Sequence, residues 1–466
     1  MAKLTFYGAT EGVTGSLYLL ETASGAILLE CGLVQGRNEE EKANAEPFPF
    51  DIKSIDAVVL SHAHLDHSGR LPKLVKDGYK GPVYVTHATL DLLEILLKDA
   101  AFLNMRDVEW ENRRRRRSAK NEINVLYDID DVENALLLCD SNGYGESREI
   151  LKGVTLTYFD AGHILGSSVV QITIKENDHT AKLVFSGDLG NNCAALMRDP
   201  AKLSDADVLL LESTYGDRNH RSHEETLQEF RDIIIESSKS GGNILIPSFA
   251  VGRTQEIIFR LGELYQEGKL RHQEVYLDSP MAIATTEVYH RYQQSFNVDD
   301  KQAMRDAKSR TLHSFLPILR YSKSTEESMA INKITDGAII IAGSGMCNGG
   351  RIRHHLKHNL WRKNCHVLIV GYQAIGTPGR TLVDGAEFLR IGGEEISIKA
   401  TIHTLGGFSA HAGQSQLIEW AEGFKNSKPD VYLVHGESIA KQTLQKKLQT
   451  SGMKVEIAQT GKTIEI

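Results

Sequence analysis

Short apolar runs separated by turns dominate the first part of the chain. Alternating or continuous apolar stretches of four to seven residues, bounded by glycine and polar residues, are typical of β-strands. They occur at 4–7, 17–21, 26–31, 57–60, 154–159, 168–174, 181–186 and 206–212. A longer pattern with helical spacing covers 88–101. We therefore predict a mostly antiparallel sheet in the first 212 residues, with helices on its outside.

From about residue 220 the pattern alternates between helix and strand. Helices are predicted at 223–239, 253–266, 281–294 and 351–361, and strands at 243–247, 274–277, 338–342 and 366–371. Such alternation indicates a parallel sheet built from crossover units. Residues 296–335 are polar and give no clear prediction. After 395 we predict a strand at 396–403, a helix at 414–425, a strand at 431–435, a helix at 438–450 and a last strand near 454–458.

The length and composition narrow the class of protein. A chain of 466 residues exceeds the usual size of one hydrophobic core, so two domains or a large insertion are expected. No apolar run of about 18 residues is present, and the first residues begin a strand pattern, so we expect a cytoplasmic protein without a membrane partner. Five cysteines without CxxC spacing argue against a disulfide framework and against a thiolate zinc site.

The net charge of −8 provides no general attraction to nucleic acid. A polyanion would therefore have to be held by local basic features. Arg113–Arg117 is the most prominent one. Five consecutive arginines cannot share one helix face, and two interpretations stay open: a solvated helix end or a contact with phosphate groups.

A cluster of metal-ligand residues follows the apolar run at 56–60. The segment SHAHLDHSGRLPKL at 61–74 contains His62, His64, Asp66 and His67. Residues two apart in an extended segment face the same way, so His62 and His64 can reach one ion, and the next turn brings Asp66 and His67 beside it. Imidazole and carboxylate ligands suit zinc, and further ligands must come from elsewhere.

Three other strand ends carry residues of the same kind. His163 lies in FDAGHILGSS, Asp188 in VFSGDLGNN and His435 in VYLVHGES. A single histidine at such a strand end is more often an ordinary hydrogen-bonded residue of the surface or core. Together with the first cluster they favour a metal centre formed at strand ends.

These residues carry a family resemblance. The HxHxDH motif at 62–67, His163, Asp188 and the strand AILLECGLVQG resemble the metallo-β-lactamase fold, an αββα sandwich. LLLESTYGDR at 209–218, GFSAHA at 407–412 and LVHGE at 433–437 resemble the β-CASP branch of that superfamily, whose members cut nucleic acids. The resemblance implies an α/β protein: metallo-β-lactamase domain residues 1–213 and 396–466, with a parallel-sheet β-CASP domain inserted at 214–395.

The resemblance also implies the roles of the site residues. His62, His64 and His163 would bind one zinc ion, Asp66, His67 and His435 the second, and Asp188 would bridge the two ions. A hydroxide between two zinc ions would attack the phosphodiester. His411, paired with Glu212, would protonate the leaving 3′ oxygen, so that products carry 5′-phosphate and 3′-hydroxyl ends. The implied catalytic set is Asp66, Glu212 and His411.

Glycine-rich or strand-to-helix turns at 246–256, 342–355 and 371–382 each include an arginine. Such turns present backbone N–H groups to phosphates, although tight packing explains a single one as well. The predicted RNA-phosphate contacts are Ser248, Arg253, Ser344, Arg351, Thr377 and Arg380. By resemblance, histidine at position 435 is typical of RNA-cutting members, so single-stranded RNA is the expected partner. The family also makes a homodimer an expectation.

The sequence departs from the family pattern at two positions. Glu30 stands in LLECG where aspartate is usual, and we expect it to support the site from behind the ligands. Gly413 stands where many members have aspartate. We expect this difference to alter the surroundings of His411 without abolishing activity.

The expected function is a zinc-dependent endoribonuclease with two zinc ions per chain, with 5′-to-3′ exonuclease activity as an additional expectation. One alternative is a metallo-β-lactamase-type hydrolase of a small thioester, lactone or nucleotide. A second alternative is a non-catalytic RNA-binding subunit.

Overall fold

The structure, a computed structural model, describes residues 2–36, 38–176, 178–374 and 376–466. The chain divides into two compact units. The first unit comprises Met1–Asn192, Asp199–Asn219 and His411–Ile466, and the second comprises Cys193–Arg198 and His220–Ala410. The predicted insertion, 214–395, overlaps the second unit without sharing its limits. None of the helices in the described residues is both long and apolar enough to cross a membrane.

The strands are short, as the spacing of turns predicts. They are β1 Lys3–Phe6, β2 Tyr18–Thr22, β3 Gly25–Leu29, β4 Ile55–Val59, β5 Val83–Thr86, β6 Cys139–Asn142, β7 Ser147–Leu151, β8 Val154–Asp160, β9 Ser168–Glu176, β10 His179–Phe185, β11 Val208–Glu212, β12 Ile244–Pro247, β13 Glu274–Asp278, β14 Leu319–Tyr321, β15 Ala338–Ala342, β16 His366–Ile369, β17 Phe388–Ile391, β18 Glu394–Ser397, β19 Thr401–Thr404, β20 Asp430–Val434, β21 Lys454–Ile457 and β22 Thr463–Glu465.

The helices vary widely in length. They are α1 Asn38–Glu41, α2 Leu65–Ser68, α3 Leu71–Lys76, α4 His87–Arg117, α5 Ile129–Leu137, α6 His223–Ser240, α7 Arg253–Gln266, α8 Pro280–Arg291, α9 Val298–Asp306, α10 Leu312–Phe315, α11 Thr325–Ile331, α12 Ile352–Asn359, α13 Pro378–Val383, α14 Gln414–Glu422 and α15 Ser438–Thr450. Local capping fixes several of these ends. At α6, the Ser222 side chain accepts a hydrogen bond from Glu225 N, and Gly241 ends the helix with a left-handed φ of 70°.

Two seven-stranded sheets face each other in the first unit. Their strand orders are β22-β1-β2-β3-β4-β5-β6 and β21-β20-β11-β10-β9-β8-β7. Apolar side chains from both sheets form one core, with Tyr18 of one sheet against Phe185 of the other at a ring distance of 5.5 Å. Successive residues of β11 alternate, so Leu210 points into this core while Leu209 packs with Leu417 of α14 on the outside. The αββα sandwich is the predicted fold class and is confirmed.

The second unit contains a six-stranded sheet of order β14-β13-β15-β12-β16-β19. All of its strand pairs are parallel, as the helix–strand alternation predicts. The carboxyl ends of β12, β15 and β16 are therefore neighbours at one edge. A separate two-stranded antiparallel hairpin consists of β17 and β18.

Several predicted elements differ from the structure. The mostly antiparallel sheet is wrong in part, because β3 to β6 pair in parallel, as do β10, β11, β20 and β21. The single strand at 396–403 is wrong, because the chain breaks into β18 and β19, which belong to different sheets. Ile396, Ile398 and Ile402 nevertheless pack against the same core, so the apolar pattern runs across the break. The polar stretch 296–335 contains α9, α10, β14 and α11.

A buried ionic network ties α12 to the end of β13. The Asp278 carboxylate lies 2.6 Å from His355 Nε2, accepts from Ser328 Oγ at 2.6 Å and pairs with the Arg351 guanidinium at 2.7 Å. Both Asp278 and His355 are fully buried. Burial raises the pKa of Asp278, but the hydrogen bonds from His355 and Ser328 outweigh it and lower the pKa to about 2.

This network predicts an acid-dependent loss of stability. A carboxyl group whose pKa is lower in the folded chain stabilises it above the ordinary pKa near 3.8, and this contribution disappears as the pH falls through about 2. We expect Asp278→Asn to lower the free energy of unfolding at pH 7, and the difference from wild type to shrink between pH 5 and pH 2. Urea denaturation across this range measures it. The exposed Asp336→Asn is the control, and a difference that stays constant with pH would contradict the assignment.

Candidate metal centre

The candidate site residues come from the ends of strands in the first unit. The segment after β4 carries His62 and His64, and α2, the short turn that follows, carries Asp66 and His67. The remaining residues follow strands of the other sheet: His163 between β8 and β9, Asp188 after β10, Glu212 at the end of β11 and His435 after β20. Parallel pairing of β11 with β20 sets Glu212 opposite Val434, directly before His435.

The first group of ligand atoms consists of three imidazole nitrogens and one carboxylate oxygen. Nδ1 of His64 lies 3.2 Å from Nε2 of His62 and 3.2 Å from Nε2 of His163. Oδ2 of Asp188 lies 3.4 Å and 3.6 Å from the same two Nε2 atoms. One atom from each residue lies within 4.8 Å of all the others, so the four can surround a single ion.

The second group consists of Asp66, His67 and His435. The Nε2 atoms of the two histidines are 3.2 Å apart, and Asp66 Oδ2 is 3.5 Å from His435 Nε2 and 3.9 Å from His67 Nε2. Asp188 joins this group as well. Its Oδ2 is 3.3 Å from His67 Nε2, and its Oδ1 is 3.4 Å from His435 Nδ1. One carboxylate therefore contacts both groups.

The donor set fits two metal ions. Tetrahedral zinc ligands at about 2.0 to 2.1 Å from the ion lie about 3.3 to 3.4 Å from one another, which matches most of these distances. Burial lowers the pKa of His62 and of His64, which keeps both imidazoles in the neutral form that binds metals. Burial opposes ionisation of Asp66, yet the nearby His67 and His435 lower its pKa to about 2. The carboxylate is therefore ionised at neutral pH.

The pKa of His67 is shifted in the opposite direction to the pKa values of His62 and His64. Burial acts to lower its pKa, but the carboxylates of Asp188 and Asp66 raise it well above the ordinary value. Binding of a cation at this group would therefore release a proton from His67.

Residues behind the ligands hold the imidazoles in position. The Glu30 carboxylate lies 3.3 Å from His67 Nδ1 and accepts a hydrogen bond from Ser61 N at 2.7 Å. Ser61 Oγ is 2.9 Å from His62 Nδ1, and Thr214 Oγ1 is 3.1 Å from His435 Nδ1. Such partners set the orientation of metal-binding imidazoles. Glu30 is predicted at this place from the sequence, whereas Ser61 and Thr214 are not, and their only signal is their closeness to the HxHxDH and LLLEST motifs.

The backbone at two of these positions is strained. His435 and Glu30 have φ values of 50° and 64°, in the left-handed region that residues with a side chain rarely adopt. The His435 N–H donates to Ala9 O at 2.7 Å, and the next N–H, of Gly436, donates to Gly12 O at 3.1 Å. Strain of this kind persists where the surroundings hold it, and it is concentrated at functional sites.

His411 and Glu212 form a pair beside the ligands. His411 Nδ1 lies 3.3 Å from the Glu212 carboxylate, which also accepts from Leu189 N at 2.6 Å. Burial lowers the pKa of His411, but the Glu212 carboxylate outweighs it and raises the pKa to about 9. The His411 ring is 4.5 Å from that of His163. Gly413, two residues on, is the N-cap of α14, and its N–H donates to the Gln416 side chain.

The predicted phosphate contacts lie in the second unit. The turns that carry them are neighbours, since Gly379 N donates to Met346 O at 3.1 Å and Ser248 N donates to Ala342 O at 3.0 Å. Each of the three arginines pairs with a carboxylate: Arg253 with Glu256, Arg351 with Asp278 and Arg380 with Asp384.

The hydroxyl groups are engaged too. Ser248 accepts from Thr254 Oγ1, Ser344 accepts from Gly349 N and Thr377 caps α13. Phosphate binding by these six residues stays a prediction, and the structure gives each of them a structural partner.

Comparison with known proteins gives three matching family descriptions. The metallo-β-lactamase superfamily matches residues 10–235, the Beta-Casp domain matches 254–382, and a Zn-dependent metallo-hydrolase RNA specificity domain matches 395–458. Together these three matches cover most of the chain.

Curated relatives extend over nearly the full length. Ribonuclease TTHA0252 of Thermus thermophilus is 40% identical over 465 residues, covering 100% of both chains. The RNase J-like protein of Methanocaldococcus jannaschii is 31% identical over 443 residues, covering 94% of this chain and 93% of that protein. Transcription termination factor FttA of the same organism is 30% identical over 444 residues, 93% of this chain and 67% of that protein.

A solved structure, of a protein of unknown function from Enterococcus faecalis V583, covers 100% of both chains with a TM-score of 0.56 and 13% identity. That likeness concerns the fold alone.

The carboxylate behind His67 predicts a loss of metal affinity when its charge is removed. We expect Glu30→Gln to weaken metal binding by about 10- to 100-fold, because the amide orients and polarises the imidazole less well than a carboxylate. Competition with a chromogenic chelator measures the affinity. Glu30→Asp keeps the charge and is the matched control. Equal affinities for wild type and Glu30→Gln would contradict the supporting role.

A close backbone approach predicts a second effect. Residues 190 and 411 form an isolated bridge, and a Cβ at Gly190 would lie 2.0 Å from Gly162 O and 2.8 Å from His163 N. We expect Gly190→Ala to lower the free energy of unfolding by about 1–3 kcal/mol and to reduce the metal content, because the His163 turn must move. Gly12→Ala, where a Cβ meets no atom within 4 Å, is the control. Thermal unfolding measures the change in stability of both variants, and metal analysis measures their metal content. Equal results for the two variants would contradict the prediction.

Proposed function

This chain belongs to the β-CASP family of RNA nucleases within the metallo-β-lactamase superfamily, and on that basis we propose that it is a two-metal endoribonuclease. It would hydrolyse phosphodiester bonds of single-stranded RNA and leave 5′-phosphate and 3′-hydroxyl ends. The names of two relatives, a ribonuclease and an RNase J-like protein, support RNA as the substrate. The RNA specificity domain description at 395–458 supports it as well.

One observation carries the proposal. Two groups of buried ligand atoms share the Asp188 carboxylate, and a histidine paired with a carboxylate lies directly beside them. A phosphodiester hydrolase needs both parts, since attack on the phosphorus and departure of the ribose oxygen require different help. The alternative, a hydrolase of small molecules, provides no role for the His411–Glu212 pair.

We propose two zinc ions, with His62, His64 and His163 holding one, Asp66, His67 and His435 the other, and Asp188 contacting both. The five imidazoles at short distances and the zinc-dependent family description support this metal. When bound, the ions would activate a water molecule for attack and offset the negative charge of the phosphate.

The chain's own groups would complete the reaction. Glu212 holds Nδ1 of His411 and keeps the imidazole protonated, so the proton for the leaving 3′ oxygen is carried at Nε2. Leu189 N fixes the Glu212 carboxylate in turn. Because Leu189 follows Asp188 directly, the orientation of the acid and the position of the bridging ligand are linked through one peptide. The location that we propose is the cytoplasm, where disulfides are rare, and the five free cysteines fit it.

Removal of the proposed acid tests the mechanism. We expect His411→Ala to keep its metal content but to cut a labelled single-stranded RNA about 10²- to 10⁴-fold more slowly, because the leaving oxygen lacks a proton donor. Glu212→Gln should reduce cleavage in the same direction. The exposed His179→Ala is the control and should cut at the wild-type rate. A chelator should abolish cleavage by wild type, and added zinc should restore it.

The same assay separates the alternatives. Wild type that holds metal, leaves RNA and DNA intact and hydrolyses a thioester would contradict the proposal in favour of a small-molecule hydrolase. Tight RNA binding without metal and without cleavage would contradict it in favour of a non-catalytic subunit. Products with a 3′-phosphate would contradict the proposed 5′-phosphate and 3′-hydroxyl ends, because the other P–O bond of the phosphodiester would have been broken.

A further inference from the structure

The second half of α4 has no buried side chain. The helix is 31 residues long, and its buried positions end at Ala101. From Phe102 to Arg117 every side chain is partly or fully exposed. Two large aromatic residues lie in this stretch, Phe102 with 53% and Trp110 with 61% of its surface exposed. The exposed Leu103 and Met105 lie between them in sequence, so these apolar side chains are grouped in one half of a helix and not scattered singly.

Aromatic and basic residues alternate along one face of this half of the helix. Phe102, Arg106, Trp110 and Arg114 are four residues apart, so they lie one above the other. The Arg106 guanidinium lies over the Phe102 ring at 5.6 Å, and that of Arg114 lies over the Trp110 ring at 5.0 Å. We call these four residues the aromatic–arginine stripe.

The opposite face of the helix is covered by the chain itself. Asn104 accepts from Leu126 N at 3.0 Å, and Asn112 exchanges two hydrogen bonds with the backbone of Ile123. Arg115 donates to Asn121 O at 3.0 Å. The segment after the helix therefore folds back along the face away from the stripe, which it leaves exposed.

The charge of this half of the helix is opposite to that of the whole chain. Residues 102–117 include six arginines and three acidic residues, whereas the chain has a net charge of −8. Glu109 and Glu111 pair with Arg113, Arg114 and Arg115. These pairs are exposed and contribute little, so a phosphate can displace them. In the described part of the chain, Arg106 and Arg117 have no carboxylate partner within ion-pair distance.

We propose that the aromatic–arginine stripe, with Arg113 and Arg117, is a second binding surface for single-stranded RNA. The inference rests on the proposed function and names a further contact for the same substrate. Bases stack on exposed aromatic rings whatever their sequence, while guanidinium groups contact the phosphates between them. The alternation along the stripe supplies both groups in turn. It also gives the run Arg113–Arg117 a phosphate-binding role in preference to a solvated helix end.

A second copy of the chain fits the stripe less well. Its own stripe presents the same arginines, and a protein partner covering the rings would have to bury Arg106 and Arg114 with matching carboxylates. RNA brings a phosphate for each guanidinium and needs no desolvated ion pair between side chains.

The position of the stripe predicts a dependence on substrate length. The helix starts beside the metal centre, because the hydroxyls of Thr86 and Thr89 donate to Gly166 O in the turn that begins with His163. With a rise of about 1.5 Å per residue, Trp110 lies about 30 Å along the axis from this anchor. Only an RNA that spans this distance can contact both places.

The test compares a long and a short substrate. The zinc-loaded Phe102→Ala/Trp110→Ala variant cuts a single-stranded RNA of about 30 nucleotides with a KM raised about tenfold or more, and kcat unchanged. Its KM for an RNA of about five nucleotides equals that of wild type. The control is Trp361→Ala/Phe388→Ala, which removes the same two ring types at exposed positions elsewhere. A second variant, Arg106→Gln/Arg117→Gln, raises KM for the long RNA and lowers its dependence on salt concentration.

Each outcome has a distinct meaning. Equal KM values for wild type and both variants on the long RNA would contradict the proposed RNA-binding role of the stripe. The proposed function would not be affected. Wild type that cuts neither RNA would instead contradict the proposed function. A wild-type dimer that becomes a monomer on Phe102→Ala/Trp110→Ala substitution, with unchanged KM, would assign the stripe to contact between copies and overturn the RNA proposal.

Discussion

The carboxylate of Asp188 stands between four imidazoles, and the arrangement of the metal centre depends on it. Its Oδ2 lies 3.3 to 3.6 Å from the Nε2 atoms of His62, His67 and His163, and its Oδ1 lies 3.4 Å from His435 Nδ1. These residues come from both sheets of the sandwich, so the short segment that carries Asp188 joins them. The neighbouring Leu189 N then fixes Glu212, and Ala412 N donates to Leu189 O beside His411. Displacement of this segment would disturb both groups and the proposed acid together.

Close packing of backbone against backbone makes this convergence possible. A Cβ at Gly32 would lie 1.7 Å from Asp66 O, and one at Gly190 would meet the peptide of Gly162. The left-handed conformations of His435 and Glu30 also help to bring the side chains together, since they turn a side chain out of the strand direction toward the centre. Their conformational cost, about 1–3 kcal/mol each, must be offset by the surrounding hydrogen bonds.

The sequence contains the ligand residues in a readable form because each sits at the end of an apolar strand. Motifs such as HxHxDH are local, so spacing alone brings His62, His64, Asp66 and His67 together. Thr214 could not be identified this way, because its contact with His435 joins positions 221 residues apart. The arginines of the glycine-rich turns illustrate the same limit. Nothing near Arg351 in sequence reveals that Asp278, 73 positions away, holds its guanidinium.

The fold shows which patterns carry information and which do not. Strand–helix alternation in the second unit correctly indicates a parallel sheet, and its central strands β12 and β15 are apolar and buried throughout, as is usual for parallel strands. Strand direction in the first unit could not be obtained from periodicity, which is the same for parallel and antiparallel neighbours. The predicted helix at 88–101 is shorter than α4, which extends to Arg117. Beyond Ala101 the helix has no core to face, so this half lacks the apolar spacing by which helices are identified.

The order of the candidate ligands along the chain determines the stage of synthesis at which the complete site can form. Asp66 and His67 are synthesised early, whereas His435, their partner at 3.2 Å from His67, follows the whole second unit. A nascent chain folds from its amino terminus, so the first unit waits for β20 to complete its second sheet. Until then a chain still on the ribosome has one group of candidate metal ligands without the other. A nuclease of this architecture would therefore be inactive while it is still attached to the message that encodes it.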